Sequence, residues 1–166
     1  MKLISKLVDS DFNLKKVNCV FRKRRAARAV VLCKNKIALM YVGNLKCLSL
    51  PGGGIEGKES IKVAVLREVM EETGCSAKII KVLGRIEEKR THSKFEQISY
   101  CFLVNAKKEK RISLTKNEIK NGTKLKWFSL NKIKSIIESN KSNKYDGKFI
   151  AKRTNLVLNE ALEYIL

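Results

Sequence analysis

The segment Pro51-Gly52-Gly53-Gly54 most restricts what this chain can fold into. A proline followed by three glycines cannot sustain a helix or an interior strand, and it lets the backbone turn tightly. A helical pattern follows at once. Ser60 is placed to N-cap it, residues 61–73 carry it, and Gly74 is placed to end it. Within that helix Glu68, Glu71 and Glu72 stand at i, i+3 and i+4 and so share one face. Like charges at these spacings repel, so a cation is needed to hold them together. Arg67 precedes Glu71 by four residues and is placed to hold its carboxylate. Ser60 and Ala64 fall beside the glutamates, where small side chains are expected to leave room for a ligand. Ile61, Val65, Val69 and Met70 are expected to anchor the helix in the core.

Clustered carboxylates without histidine or thiolate partners are hard oxygen ligands. They suit Mg²⁺ or Mn²⁺, ions that bind substrate phosphates readily. The glycine run just before the helix offers backbone amides and carbonyls to the same place. These parts together point to metal-assisted attack of water on a phosphoryl group, with a carboxylate taking the proton.

Around this segment the chain reads as a mostly β core with few helices, of class α+β or α/β sandwich. Residues 29–42 read as two apolar strands joined by a tight turn, and 77–90 and 96–106 as strands around a polar loop. Residues 124–130 read as a strand carrying Trp127, and 131–139 as a short amphipathic helix. A longer helix is expected over 149–166, within a C-terminal helical segment 140–166. Residues 1–25 are polar and basic, an arm or a short strand. One domain, 1–166, fits the length.

The net charge is +20, yet 44% of residues are hydrophobic, which excludes a disordered chain. No run of eighteen apolar residues occurs, so no transmembrane helix and no membrane partner are expected. The N-terminus MKLISKLVDSDF lacks the apolar core of a secretory signal, and a cytoplasmic location is the expectation. Cysteines 19, 33, 47, 75 and 101 form no CxxC pair, so they read as reduced, mostly buried thiols rather than a disulfide or zinc framework. His92 is the only histidine and reads as a solvated loop residue. Two basic runs, 15–28 and 107–111, read as solvated faces first and as attractors of an anionic partner second.

Residues 53–75 resemble the Nudix box, Gly-x5-Glu-x7-Arg-Glu-U-x-Glu-Glu-x-Gly-U, where U is a bulky apolar residue. Gly53, Glu59, Arg67, Glu68, Val69, Glu71, Glu72 and Gly74 fill it with every gap correct; only Cys75, small for the last U, departs. A chance match is on the order of one in 10⁸ per start position. The resemblance implies an α/β/α sandwich around a mixed sheet, and Mg²⁺-dependent hydrolysis of a nucleoside diphosphate linked to another moiety. It implies a catalytic set of Glu68, Glu71, Arg67 and Glu59, with Glu59 and Arg67 orienting the helix carboxylates. It implies metal ligation by Glu68, Glu71 and Glu72 with the Gly52 carbonyl. Many members add a late-loop carboxylate, for which Glu118 is the candidate. Some carry Glu before the late tryptophan, where this chain has Lys126; Trp127 itself is expected in the core. Arg85, Arg90 and Lys94 are weaker candidates for phosphate contacts. The partner expected is a small nucleotide-derived substrate. Less favoured are a nucleic-acid-binding protein of this fold and a hydrolase of RNA 5′ ends. The sequence sets no oligomeric state.

Overall fold

The computed structural model describes residues 1–108 and 111–165. Glu109 and Lys110 of the second basic run, and Leu166, lie outside the described residues. Seven strands form one sheet: β1 (Leu3–Val8), β2 (Arg22–Cys33), β3 (Lys36–Val42), β4 (Cys47–Ser49), β5 (Cys75–Arg90), β6 (Phe95–Lys108) and β7 (Thr123–Ser129). The helices are α1 (Ile61–Thr73), α2 (Lys116–Lys120), α3 (Ile133–Ser139) and α4 (Tyr145–Ile165). The strand order is β1-β5-β6-β2-β3-β4, with β7 also on β3. β1 runs parallel to β5 and β2 parallel to β6, while β5–β6, β2–β3, β3–β4 and β3–β7 are antiparallel. The sheet is therefore mixed, as the resemblance implied.

Alternation along the central strands divides the core into two apolar layers. Ala27, Ala29 and Val31 of β2 and Phe102 and Val104 of β6 face α1, packing on Ala64, Val65 and Val69. Val30 of β2 and Cys101 and Leu103 of β6 face the other way, onto Ile133 of α3 and Phe149, Val157, Leu158 and Ala161 of α4. Helices thus cover both faces of the sheet.

Several boundaries differ from the sequence reading. Residues 1–25 do not form a single arm: Leu3–Val8 pair with β5, and the basic residues from Arg22 onward already belong to β2. Their partner is β6, from Arg22 opposite Phe95 to Leu32 opposite Asn105, a pairing that local charge does not reveal. α4 starts at Tyr145, before the apolar spacing begins at Phe149, and leaves residues 140–144 outside it. Asp146 sits in its first turn, where a negative charge complements the helix dipole. No helix among the described residues is long and apolar enough to cross a membrane.

β3 has one edge divided between two neighbours. Its residues Lys36–Ala38 pair with the end of β2, and Met40–Val42 pair with β4. Between those pairings β2 and β3 part, and the chain after β4 enters the gap. Leu158 is fully buried between α4 and the sheet, so Leu158→Ala is expected to cost about 2–5 kcal/mol in urea unfolding. Ile80→Ala, at an exposed strand position, should stay within about 0.5 kcal/mol.

Candidate active site

The glycine run fills that gap as an extra edge on β2. Ala29 N–H donates to the Pro51 carbonyl (2.9 Å), Ala27 N–H to the Gly53 carbonyl (3.0 Å), and Ile55 N–H to the Arg25 carbonyl (3.1 Å). Two glycines are required here by contact. Gly52 has φ +134°, and a Cβ on it would lie 2.1 Å from the Ala27 carbonyl oxygen. A Cβ on Gly53 would lie 2.4 Å from Glu68 Oε1. The segment then turns into α1, where Ser60 Oγ accepts from Val63 N–H (3.2 Å). Gly74, in the left-handed region, ends the helix and donates its N–H to the Met70 carbonyl. Both caps stand where the sequence put them.

The helix aims its glutamates at the glycine segment. Glu68 and Glu72 are buried, whereas the Glu71 side chain is 40% exposed. Arg67 ties the group together. It donates to both Glu59 oxygens (2.7 and 3.3 Å), to Glu68 Oε1 (2.9 Å), to Glu71 Oε2 (3.2 Å) and to the Gly54 carbonyl (3.1 Å). This is the cation that the i, i+3, i+4 spacing required. Glu72 Oε2 accepts the Gly52 N–H (2.6 Å), and the Gly52 carbonyl accepts from Arg28 Nη1.

Burial dominates the charge state of the two inner carboxylates. It raises the Glu72 pKa well above the ordinary carboxylate range; the Gly52 N–H and Arg28 oppose it, and the charges of Glu118 and Glu68 add to it. Burial also raises Glu68, against the opposing bond and charge of Arg67. Burial first, then the nearby Arg153 charge, brings Arg28 down to about 9, so it stays cationic at neutral pH.

Glu68, Glu71, Glu72, Arg67 and Gly52 line one cavity of about 470 Å³ with Glu118, Arg24, Arg28 and Arg153. Among the described residues no three His, Cys, Asp or Glu side chains already converge as a metal cage. The donors present are nevertheless all oxygens, two of them on buried carboxylates with incomplete charge compensation. That is the environment a hard divalent cation relieves.

The other sequence candidates separate. Glu118 borders the cavity, but its carboxylate closes the capping box of α2, accepting Thr115 N–H (2.6 Å) and Thr115 Oγ1 (2.8 Å). Arg85 bonds Glu87 and the Met1 carbonyl; Lys94 sits in a turn with φ 51°; Arg90 is buried against Glu88 and Asp146. None of these three lines the carboxylate cavity. His92 is exposed, with Nε2 2.8 Å from the Lys15 carbonyl oxygen. Trp127 is half-buried against the apolar layer under α1, and Lys126 lies over the Tyr41 ring. The space expected beside Ala64 does not exist: Ala64 is fully buried in that same layer, because β2 packs directly on this side of α1. All five cysteines are free thiols, three of them buried.

The sequence reading missed Arg28 and Arg153 as site residues. Arg22, Arg24 and Arg28 alternate onto one face of β2, and Arg153 interrupts the apolar i, i+4 series Phe149–Val157 on α4. Of these strand arginines Arg28 alone is buried, so the break in the apolar series at Arg153 was the clearer signal of an inward-facing arginine.

A family model for the NUDIX domain matches residues 15–152. The chain belongs to the NUDIX family. Over 107 residues it is 31% identical to a protein of Methanocaldococcus jannaschii described as an ADP-ribose pyrophosphatase, covering 63% of this chain and 63% of that one. Among solved structures it is similar to a NUDIX hydrolase from Nitrosomonas europaea, with a TM-score of 0.62 at 22% identity over 86% of this chain and 88% of that one. It is also similar to an ADP-ribose pyrophosphatase from Streptococcus suis, with a TM-score of 0.53 at 22% identity over 83% and 91% of the two chains. At these identities the structural likenesses speak for the NUDIX fold: a mixed sheet between helices, with the box as loop, helix and loop.

Backbone contact makes Gly52 the least replaceable residue of the box loop. Gly52→Ala should lose about 1–3 kcal/mol from backbone strain, and more from the collision with Ala27, in thermal or urea unfolding. Gly57→Ala, with nothing within 4 Å of its Cβ position, should lose less.

Proposed function

We propose that this NUDIX protein is a pyrophosphohydrolase that uses Mg²⁺ or Mn²⁺ to cleave a nucleoside diphosphate linked to a further group. The observation that carries this reading is the buried pair Glu68 and Glu72, set against the Gly52 backbone in a cavity whose other walls bring arginine. The naming of a curated relative as an ADP-ribose pyrophosphatase supports the same chemistry.

Glu68, Glu71 and Glu72, with the Gly52 carbonyl, would hold the ion, which when bound screens phosphate charge and makes a water easier to deprotonate. The remaining work falls to the protein. Arg28 and Arg24 line the same cavity as the glutamates and would steady the anionic pyrophosphate by charge-assisted hydrogen bonds. Glu68 is the residue we assign to accept the proton from the attacking water. It is buried, its pKa is raised, and its charged hydrogen-bond partner, Arg67, holds it on one side. Arg67 and Glu59 are positioning residues: the two-pronged bond between them fixes the guanidinium that in turn fixes Glu68 and Glu71. Glu118, which lines the same cavity, adds negative charge near Glu72. The five free thiols suit the reducing cytoplasm, which we take as the setting.

The basic segment 15–28 favours a small substrate over a polynucleotide. Arg22, Arg24 and Arg28 line one cavity, whereas Lys23 and Arg25 line another that Arg24 also borders, so the run is divided between two cavities rather than laid along one track. A strip of phosphates would need one.

Two outcomes test this reading. Hydrolysis of ADP-ribose and other nucleotide pyrophosphates, followed by phosphate or nucleoside monophosphate release, should stop in EDTA and return with Mg²⁺ or Mn²⁺; turnover that survives chelation refutes the metal assignment. Glu68→Gln should lower kcat at least about 10²-fold while leaving the far-ultraviolet circular dichroism unchanged.

A further inference from the structure

Next to the carboxylate cavity lies a second one of about 250 Å³ to which five arginines contribute. Arg22, Arg24 and Arg28 reach it from β2, Arg90 from the end of β5 and Arg153 from α4. The two cavities share Arg24, Arg28, Ile150 and Arg153 as a common wall, and none of the box glutamates lines the second.

The counter-charges are too few. Asp146 lines the cavity and bonds Arg90 Nη1 at 3.2 Å. Glu88 lies behind it, already accepting from Arg90 Nη2 (2.7 Å), Arg153 Nη1 (2.7 Å) and Gln97 Nε2 (3.0 Å). Arg28, Arg90 and Arg153 are at least nine-tenths buried, and the Nε of each has no hydrogen-bond partner among the described residues. A buried guanidinium with an unused donor carries a real cost. Arg22 and Arg90 both lie over the Phe95 ring, at 4.9 and 5.2 Å, and Arg90 also lies over Phe149 at 5.3 Å. These ring contacts hold the guanidinium planes in position without consuming their N–H donors. Burial, followed by the charge of Arg153, also lowers the Arg24 and Arg28 pKa values, so these like charges strain against one another.

We infer that this arginine cavity is a phosphate subsite, and that the substrate carries a phosphate group beyond the pyrophosphate that is cut. The inference rests on the hydrolase reading for its substrate but not for its anion. Fixed guanidinium forks suit a phosphate oxygen better than a neutral sugar or base, which would leave the charge unmet. The shared wall sets the order of parts: the scissile pyrophosphate lies at the glutamates, Arg24 and Arg28 stand between, and the second phosphate lies deeper against Arg90 and Arg153.

The test has a binding arm and a kinetic arm. In EDTA, inorganic phosphate is titrated into the protein while the arginine Nε–H signals are followed by ¹⁵N NMR. The Arg28, Arg90 and Arg153 signals should shift together and saturate. Arg22→Gln, at an exposed position that leaves the buried pairs intact, should weaken the affinity about three- to fivefold. Shifts that never saturate, or that spread over surface arginines and spare the buried three, overturn the subsite. In the kinetic arm, NADPH is compared with NADH, and coenzyme A with its dephospho form, each pair differing by one phosphate. At least one phosphorylated member should exceed its partner about tenfold in kcat/KM, with the advantage reduced in Arg22→Gln. No preference in either pair overturns the substrate assignment. If no nucleotide at all is cleaved, the hydrolase reading fails and the NMR titration alone decides the subsite. Single-stranded RNA that displaces the phosphate with a steep salt dependence would overturn the small-substrate form.

Discussion

The glycine segment adheres to β2 because β2 has an edge that β3 leaves open. Three backbone hydrogen bonds, at Ala29, Ala27 and Ile55, tie residues 51–55 to that edge. They set where α1 begins, and so where its glutamates point. They also require Gly52 and Gly53, since a side chain at the first would strike the Ala27 carbonyl and at the second the Glu68 carboxylate. The rest of the site follows from this close approach. With β2 and the loop in contact, Arg28 of β2 reaches the Gly52 carbonyl while Glu72 of α1 takes the Gly52 N–H.

Charge is arranged around this contact in opposed groups. On the α1 side, four carboxylates gather near a single guanidinium, Arg67. On the β2 and α4 side, five arginines line one cavity, where Glu88 pairs with Arg90 and Arg153 and Asp146 pairs with Arg90. Each group is unbalanced by itself. The acidic one suits a divalent cation and the basic one an anion, so a metal–phosphate substrate is complementary to both at once. Glu88 shows how far the basic group governs its surroundings. Burial alone would raise its pKa, but Arg153 and Arg90 bring it down to about 2. It is therefore ionised at any working pH, and its negative charge is spent on holding the guanidiniums.

Much of the acidic group was legible from local sequence. Ser60 and Gly74 bound the helix, the glutamate spacing selected one face, and Arg67 was placed to hold it, because capping and i, i+4 contact act within a few residues. Local reasoning failed where distant chain sets the environment. Ala64 looked like space for a ligand from the helix alone, yet β2 fills that space. Arg22–Arg28 looked like a solvated run; Arg22 to Arg25 do stay exposed, but the pairing with β6 carries Arg28 into the buried site. Arg153 drew no reading from its own helix, and its burial depends on Glu88 of a distant strand, which accepts its Nη1.

The sequence by itself therefore determined the box helix, its caps, its carboxylate face and the family, since all of these reside in the 23 residues from Gly53 to Cys75 and in contacts between near neighbours. Tertiary structure decided the other half of the site. The strand pairing β2–β6 and the docking of α4 bring Arg28, Arg90 and Arg153 together from positions 28, 90 and 153. No spacing rule links residues so far apart. Their meeting depends on which edges pair and which apolar faces pack, and those are choices made by the whole chain at once.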